Sequence, residues 1–130
     1  MVSKVADIVF VKGDKVLLVQ QRKKIAEGLW SYPGGRVEED ETINQSVIRE
    51  VIEELSVDIT NCKLFRIYNI KTDIGELEIN TFIGEFTGNI KLRDDELMDY
   101  GWFSLKELQQ MFGQLRSLIV IEQAKDVLSI

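Results

Sequence analysis

Arg49, Glu50, Glu53 and Glu54, near the end of one predicted helix, carry most of the chemistry this chain has to offer. A helix turns by about 100° per residue, so Glu50 and Glu54 stand about 40° apart, with Glu53 about 60° from Glu50 on the other side. The three carboxylates therefore share one narrow face. Such crowding works against the helix. The Glu50–Glu54 pair, four residues apart, costs about 0.2–0.5 kcal/mol. Glu53 and Glu54 also meet the negative end of the helix dipole, at roughly another 0.3–1 kcal/mol each. Two readings are open, a solvated acidic face and a site for a divalent cation. A helix that had only to be stable would place Lys or Arg among these acids, and Arg49 is the one cation nearby. A local rule broken without local compensation points to function, which favours the cation. Glu54 shares a face with Ile43 and Val47, so its charge is expected to be partly buried.

What is missing narrows the chemistry further. The chain has no histidine, which excludes Ser-His-Asp and Cys-His catalysis. Cys62 is its only cysteine, so neither an internal disulfide nor a cysteine-rich zinc site can form, and it is read as a core residue. Carboxylate oxygens remain, and these suit Mg²⁺, Mn²⁺ or Ca²⁺. A net charge of −6 argues against non-specific nucleic-acid binding but permits a phosphate-bearing small substrate bridged by cations. No run of about 18 apolar residues suggests a membrane span, and the N-terminus enters a strand pattern without a leader-like segment. A soluble cytoplasmic protein with no membrane partner is expected. The 130 residues, 45% hydrophobic, suggest a single domain over residues 1–130.

The elements that must position the acids follow from periodicity. Residues 5–11 and 16–20 read as strands joined by a hairpin at Lys12-Gly13-Asp14-Lys15. A polar loop runs to Pro33, the only proline. Pro33-Gly34-Gly35 reads as a turn whose glycines let backbone approach a ligand and can leave a carbonyl free. Thr42 and Gln45 form a capping box that opens a helix. In that helix Ile43, Val47, Val51 and Leu55 repeat every four residues, and Ile48 and Ile52 widen the apolar arc. Strands at residues 62–71 and 76–86, with a turn at 73–75, precede a polar loop at 87–99 and a short strand at 100–103. Ser104 and Glu107 form a second capping box, and residues 115–128 read as a final amphipathic helix. Hairpin strands with few helices imply an α+β fold with a mixed, largely antiparallel sheet.

Gly35, Glu41 and the run Arg49-Glu50-Val51-Ile52-Glu53-Glu54-Leu55-Ser56-Val57 closely resemble the Nudix box, which spans Gly-x5-Glu-x7-Arg-Glu-aliphatic-x-Glu-Glu-x-Gly-aliphatic. Leu29 to Gly34 ahead of it and Trp102 to Leu105 after it also look like the family. Ser56 departs from the pattern, standing where the family has glycine. A non-glycine residue in the left-handed conformation that ends the helix costs of order 1–2 kcal/mol. The resemblance implies an α/β/α sandwich and a MutT-like hydrolase that cleaves a nucleoside diphosphate linked to another group with Mg²⁺ or Mn²⁺. It implies Glu53 and Glu54 as the main metal ligands, Glu50 as a further ligand or the base, and the Gly34 carbonyl completing the set. Arg49 would orient Glu41 through an ion pair. Glu96 would add a carboxylate, with Asp94 and Asp95 close by. Arg22, Trp30, Gly35, Tyr68 and Phe82 are the expected substrate contacts; Trp30 and Trp102 either stack a base or belong to the core. A nucleoside triphosphate, intact or oxidised, is the preferred substrate. ADP-ribose or another nucleoside diphosphate derivative, and a non-catalytic nucleotide sensor, are the alternatives. A neutral-to-alkaline optimum is expected, and a homodimer is left open.

Overall fold

The computed structural model describes residues 2–73 and 75–130. Side-chain alternation along the first two strands sets the layers. In β1 (Val2–Lys12), Ala6, Ile8 and Phe10 face one side and Val9 the other. In β2 (Lys15–Gln21), Leu17 and Val19 join the first side, and Val16 and Leu18 the second. Each side buries its own core. The first is closed by α1 (Ile43–Leu55) through Val47, Val51 and Leu55. The second is closed by α2 (Leu105–Gln110) and α3 (Ile119–Leu128) through Leu108, Val120, Ala124 and Val127. The sheet is thus sandwiched between helices, as expected.

The remaining strands are β3 (Trp30–Ser31), β4 (Gly34–Arg36), β5 (Asp58–Thr72), β6 (Gly75–Thr87) and β7 (Leu97–Ser104). The sheet runs β3-β2-β1-β6-β5, with β4 paired to β1 and β7 to β2. All pairs are antiparallel except β1–β6, which is parallel from Val2↔Glu76 to Phe10↔Gly84. Both capping boxes are formed. Thr42 Oγ1 accepts from Gln45 N at 3.1 Å and Gln45 Oε1 from Thr42 N at 2.9 Å. Ser104 and Glu107 repeat the exchange at 3.2 and 2.9 Å.

Several local expectations need correction. Ile48 and Ile52 are 41% and 48% exposed, so they do not widen the buried arc of α1; the helix packs on one sheet face only, and these two lie beyond it. The last helix starts at Ile119, not at residue 115. Trp30 N donates to Gln114 O and Arg116 N to Trp30 O, both at 2.8 Å, and this isolated bridge to Leu115 keeps that residue out of the helix. Strand β5 begins at Asp58, ahead of the expected start. Asn61, at φ 52°, lets the pairing slip between Thr60 and Lys63 and then resume. Gly34 and Gly35 form strand rather than turn. Cys62 is half-buried against the α1-side core. The turn expected at residues 73–75 falls partly on Ile74, outside the described residues. Among the described residues no helix is long and apolar enough to cross a membrane.

Candidate active site

The site is built where β4 passes the last turn of α1. Ile8 N donates to Pro33 O at 3.1 Å and Val37 N to Lys4 O at 3.0 Å. Bonded pairs recur at every second residue of an antiparallel ladder, so Gly34, opposite Asp7, is a non-bonded pair. Its N–H and C=O therefore point off the free edge of β4. The N–H donates to Glu54 Oε1 at 2.9 Å. Only glycine fits here: φ is 147°, and a Cβ would lie 2.3 Å from Ala6 O. At Gly35 a Cβ would lie 2.8 Å from Glu50 Oε1, so the missing side chain is what admits that carboxylate.

Ser56 ends α1 in the left-handed conformation, φ 58° and ψ 36°, with its N–H returned to Ile52 O at 3.0 Å. Its unfavourable backbone is accepted in place of the glycine, and the last turn with Glu53 and Glu54 stays intact. Glu54 is only 4% exposed. Burial is the main reason its pKa rises to about 8; the Gly34 N–H opposes the rise, and the charges of Glu50 and Glu96 add to it. The Glu50 pKa is also raised, mainly by burial, against the pull of Arg49.

Arg49 is the hub of the opposite charge. Its Nε and Nη2 donate to the two oxygens of Glu41 at 3.0 and 2.7 Å. Its Nη1 reaches Glu50 Oε1 at 2.9 Å and Glu53 Oε2 at 3.4 Å. The Arg49 hydrogen bonds are the first cause that holds Glu41 down to about 2, with the Glu38 backbone N–H helping. Arg93 also approaches Glu53, at 4.0 Å.

A cavity of about 670 Å³ opens beside these groups. Gly34, Gly35, Arg49, Glu50, Glu53, Glu54 and Glu96 all line it, whereas Glu41 stands behind Arg49. Glu96 pairs with Lys23 at 3.3 Å, while Asp95 is turned to Arg93 at 3.0 Å. Four expected substrate contacts lie elsewhere. Phe82 is fully buried in the α1-side core and has no surface to offer a ligand. Tyr68 donates to Asp126 Oδ2 at 2.7 Å. Trp30 packs edge-on to Phe103 and bridges to Leu115. Arg22 is outside the cavity, its N–H bonded to Glu96 O. Trp102 stacks on Phe86 instead of facing the cavity. Sequence reasoning missed Asp7, Gln123 and Arg116, which do line it. A lone aspartate amid the apolar run of β1 was the available signal for Asp7.

The donor set suits a hard divalent cation. It is oxygen only, and two of its carboxylates, buried Glu54 and half-buried Glu50, are held against their own charge. Among the described residues no three acids enclose an ion in this arrangement, because Glu53 leans towards Arg49 and Arg93. A cation would compete with those arginines for Glu53.

Comparison with known proteins agrees with the architecture. The NUDIX domain model matches residues 2–122. The chain is 31% identical over 103 residues to the 8-oxo-dGTP diphosphatase of Buchnera aphidicola, covering 78% of this chain and 76% of that protein. It is 31% identical over 107 residues to the NAD-capped RNA hydrolase NudC of Pseudomonas aeruginosa, covering 82% of this chain and 38% of that protein. The chain spans 28%, 54% and 38% of the lengths of three curated relatives it matches. A NUDIX hydrolase from Nitrosomonas europaea superposes with a TM-score of 0.87 at 25% identity, over 99% of this chain and 90% of that one. With the family model matched over residues 2–122 and the box residues Gly35, Arg49, Glu50, Glu53 and Glu54 lining one cavity, the chain belongs to the NUDIX family.

Proposed function

We propose that this protein hydrolyses a pyrophosphate bond in nucleoside diphosphate-linked substrates with Mg²⁺ or Mn²⁺. Its preferred substrate in this reading is a nucleoside triphosphate, released as monophosphate and pyrophosphate. The observation that carries the reading is the pair of half-buried Glu50 and buried Glu54, both with raised pKa, beside the Gly34 edge of one cavity. Glu53, Glu54, Glu50 and the Gly34 carbonyl are the groups that would hold the cation, with Glu96 facing them. The cation supplies charge neutralisation for phosphate oxygens and lowers the pKa of water. Glu50, once ionised, would be a further ligand or the base that accepts the proton of the attacking water. The new bond joins that oxygen to phosphorus, and the bridging P–O bond breaks. Arg49 positions Glu50 and Glu53 from the rigid Glu41 pair. A net charge of −6 supports a small nucleotide over a nucleic-acid surface. The cytoplasm and a homodimer complete the proposal.

The 8-oxo-dGTP diphosphatase relative, matched over most of its length, supports the triphosphate. The NudC relative, named for NAD-capped RNA, supports a second reading, a nucleoside diphosphate derivative; ADP-ribose is the simplest such substrate to test. A sensor without catalysis is disfavoured because every charged residue of the box is present. The test is a nucleotide panel with Mg²⁺, repeated with chelator, with the cleaved phosphate position resolved. Triphosphate turnover abolished by chelator is expected. Strong ADP-ribose cleavage without triphosphate turnover would replace the substrate, and no cleavage of any member would reject the hydrolase.

A further inference from the structure

The far wall of the cavity holds a polar group that the acid cluster does not use. Asp7 sits on the α3-facing side of β1, the side that otherwise buries Val9, Tyr32 and Val120. Gln123 Nε2 donates to Asp7 Oδ2 at 2.9 Å and to Thr81 Oγ1 at 2.8 Å. Both amide protons of Gln123 are thereby spent. The Tyr32 hydroxyl is committed to Val120 O at 2.8 Å. Asp7 Oδ1 is left buried without a hydrogen-bond partner. Asp7 is 9% exposed and lines the cavity, as do Tyr32, Ile79, Ile119 and Gln123. A clamp between β1 and α3 needs one acceptor oxygen, which asparagine would supply without a charge. The second oxygen is unexplained by the clamp.

From this we infer that Asp7 is a specificity-determining residue, its Oδ1 accepting an edge N–H of a nucleobase lodged between the apolar cavity walls. The inference rests on the reading of this cavity as a nucleotide site. A flat ring with an N–H donor on its edge matches apolar walls and one unpaired acceptor. Oδ1 is covered in this arrangement, so the donor reaches it with a small shift of the lining side chains. The register pair Asp7↔Gly34 sets this acceptor one strand away from the edge that faces Glu54, so base and phosphates of one ligand fall on neighbouring groups.

Substitution by asparagine has a defined polarity. Gln123 keeps its N–H pointed at position 7, so the new carbonyl oxygen must face it and the NH₂ takes the place of Oδ1. Asp7→Asn therefore turns an acceptor into a donor. The experiment measures binding of the four ribonucleoside monophosphates to the wild type and to Asp7→Asn. Each is paired with a counterpart methylated on its edge nitrogen: 1-methylguanosine, 3-methyluridine, N6,N6-dimethyladenosine and N4,N4-dimethylcytidine monophosphates. In the wild type, methylation should weaken the preferred base about tenfold, the size of one lost hydrogen bond. In Asp7→Asn that penalty should fall below about threefold, with the ranking of the bases changed. Methylation penalties equal in the two proteins, or no base discrimination by the wild type, would overturn the inference. If Asp7→Asn does not fold, the wild-type methylation series decides alone. Triphosphate turnover on the same samples keeps the two ideas apart. Base discrimination without turnover rejects the hydrolase and keeps Asp7 as a reader, whereas turnover without discrimination rejects Asp7 alone.

Discussion

Glu41, ahead of α1, and Glu54, in its last turn, belong to one charge network yet end far apart, with pKa values of about 2 and about 8. Glu41 meets both arms of a guanidinium. Glu54 meets one backbone N–H and the inside of the protein. Glu41 thus marks an end where charge is balanced, and Glu54 an end where its own carboxylate meets no cation among the described residues. The balanced end is framework. The unbalanced end is where the fold withholds stabilisation that a cation can supply.

The largest effects should come from the unbalanced end. Glu53→Gln and Glu54→Gln should each lower kcat at least about a hundredfold, the scale of a lost electrostatic group. Glu54→Gln should nonetheless leave the metal-free protein as stable as the wild type at low pH, and more stable from the ordinary carboxylate range upward, the gain being complete by about pH 8. It keeps an acceptor for the Gly34 N–H and brings no buried charge. A fall in melting temperature alongside activity would erase the contrast. At the balanced end, Glu41→Gln should cost activity about 10–100-fold through displaced ligands, and here the melting temperature should fall too. An unchanged melting temperature would show that the Arg49 pair is not framework.

The pH dependence of metal-free stability sharpens the same contrast. Burial raises the folded pKa of Glu54 to about 8 and of Asp7 to about 6. The folded protein therefore binds protons that the unfolded chain releases near its ordinary carboxylate range. Their contribution is full below that range and is lost as pH rises through about 6 and then about 8. Melting temperature without metal should fall as pH rises from the ordinary carboxylate range to about 8 and level off above it, and Mg²⁺ should recover most of the loss. A metal-free melting temperature that rises over this interval contradicts the assignment. The smallest effect is expected at the helix end. Ser56→Gly relieves a left-handed serine and should stabilise by about 1 kcal/mol, with activity unchanged. No gain in melting temperature would mean that the serine is not strained.

The sequence disclosed most of the balanced and unbalanced ends, because both are local. Capping at Thr42 and Ser104, the spacing of the acids, the partial burial of Glu54 and the exception at Ser56 all follow from helix geometry over a few residues. Long-range pairing was less legible. The parallel contact of β1 with β6 and the seating of Gly34 against Asp7 join segments far apart in the chain. Periodicity could not tell that α1 has one buried face, which left Ile48 and Ile52 misplaced. The substrate wall was the least legible part. Phe82 and Tyr68 lie on strands whose facing depends on register, and although Asp7 stands out in its apolar run, what it faces is decided only where β1, β4 and α3 meet.

The central claim is that Glu54 waits protonated for a divalent cation. Calorimetric titration of Mn²⁺ at pH 7, in buffers of different ionisation heat, tests it most directly. The wild type should bind the ion and release about one proton, whereas Glu54→Gln should bind more weakly and release none. No binding by the wild type, or the same proton release from Glu54→Gln, would contradict it.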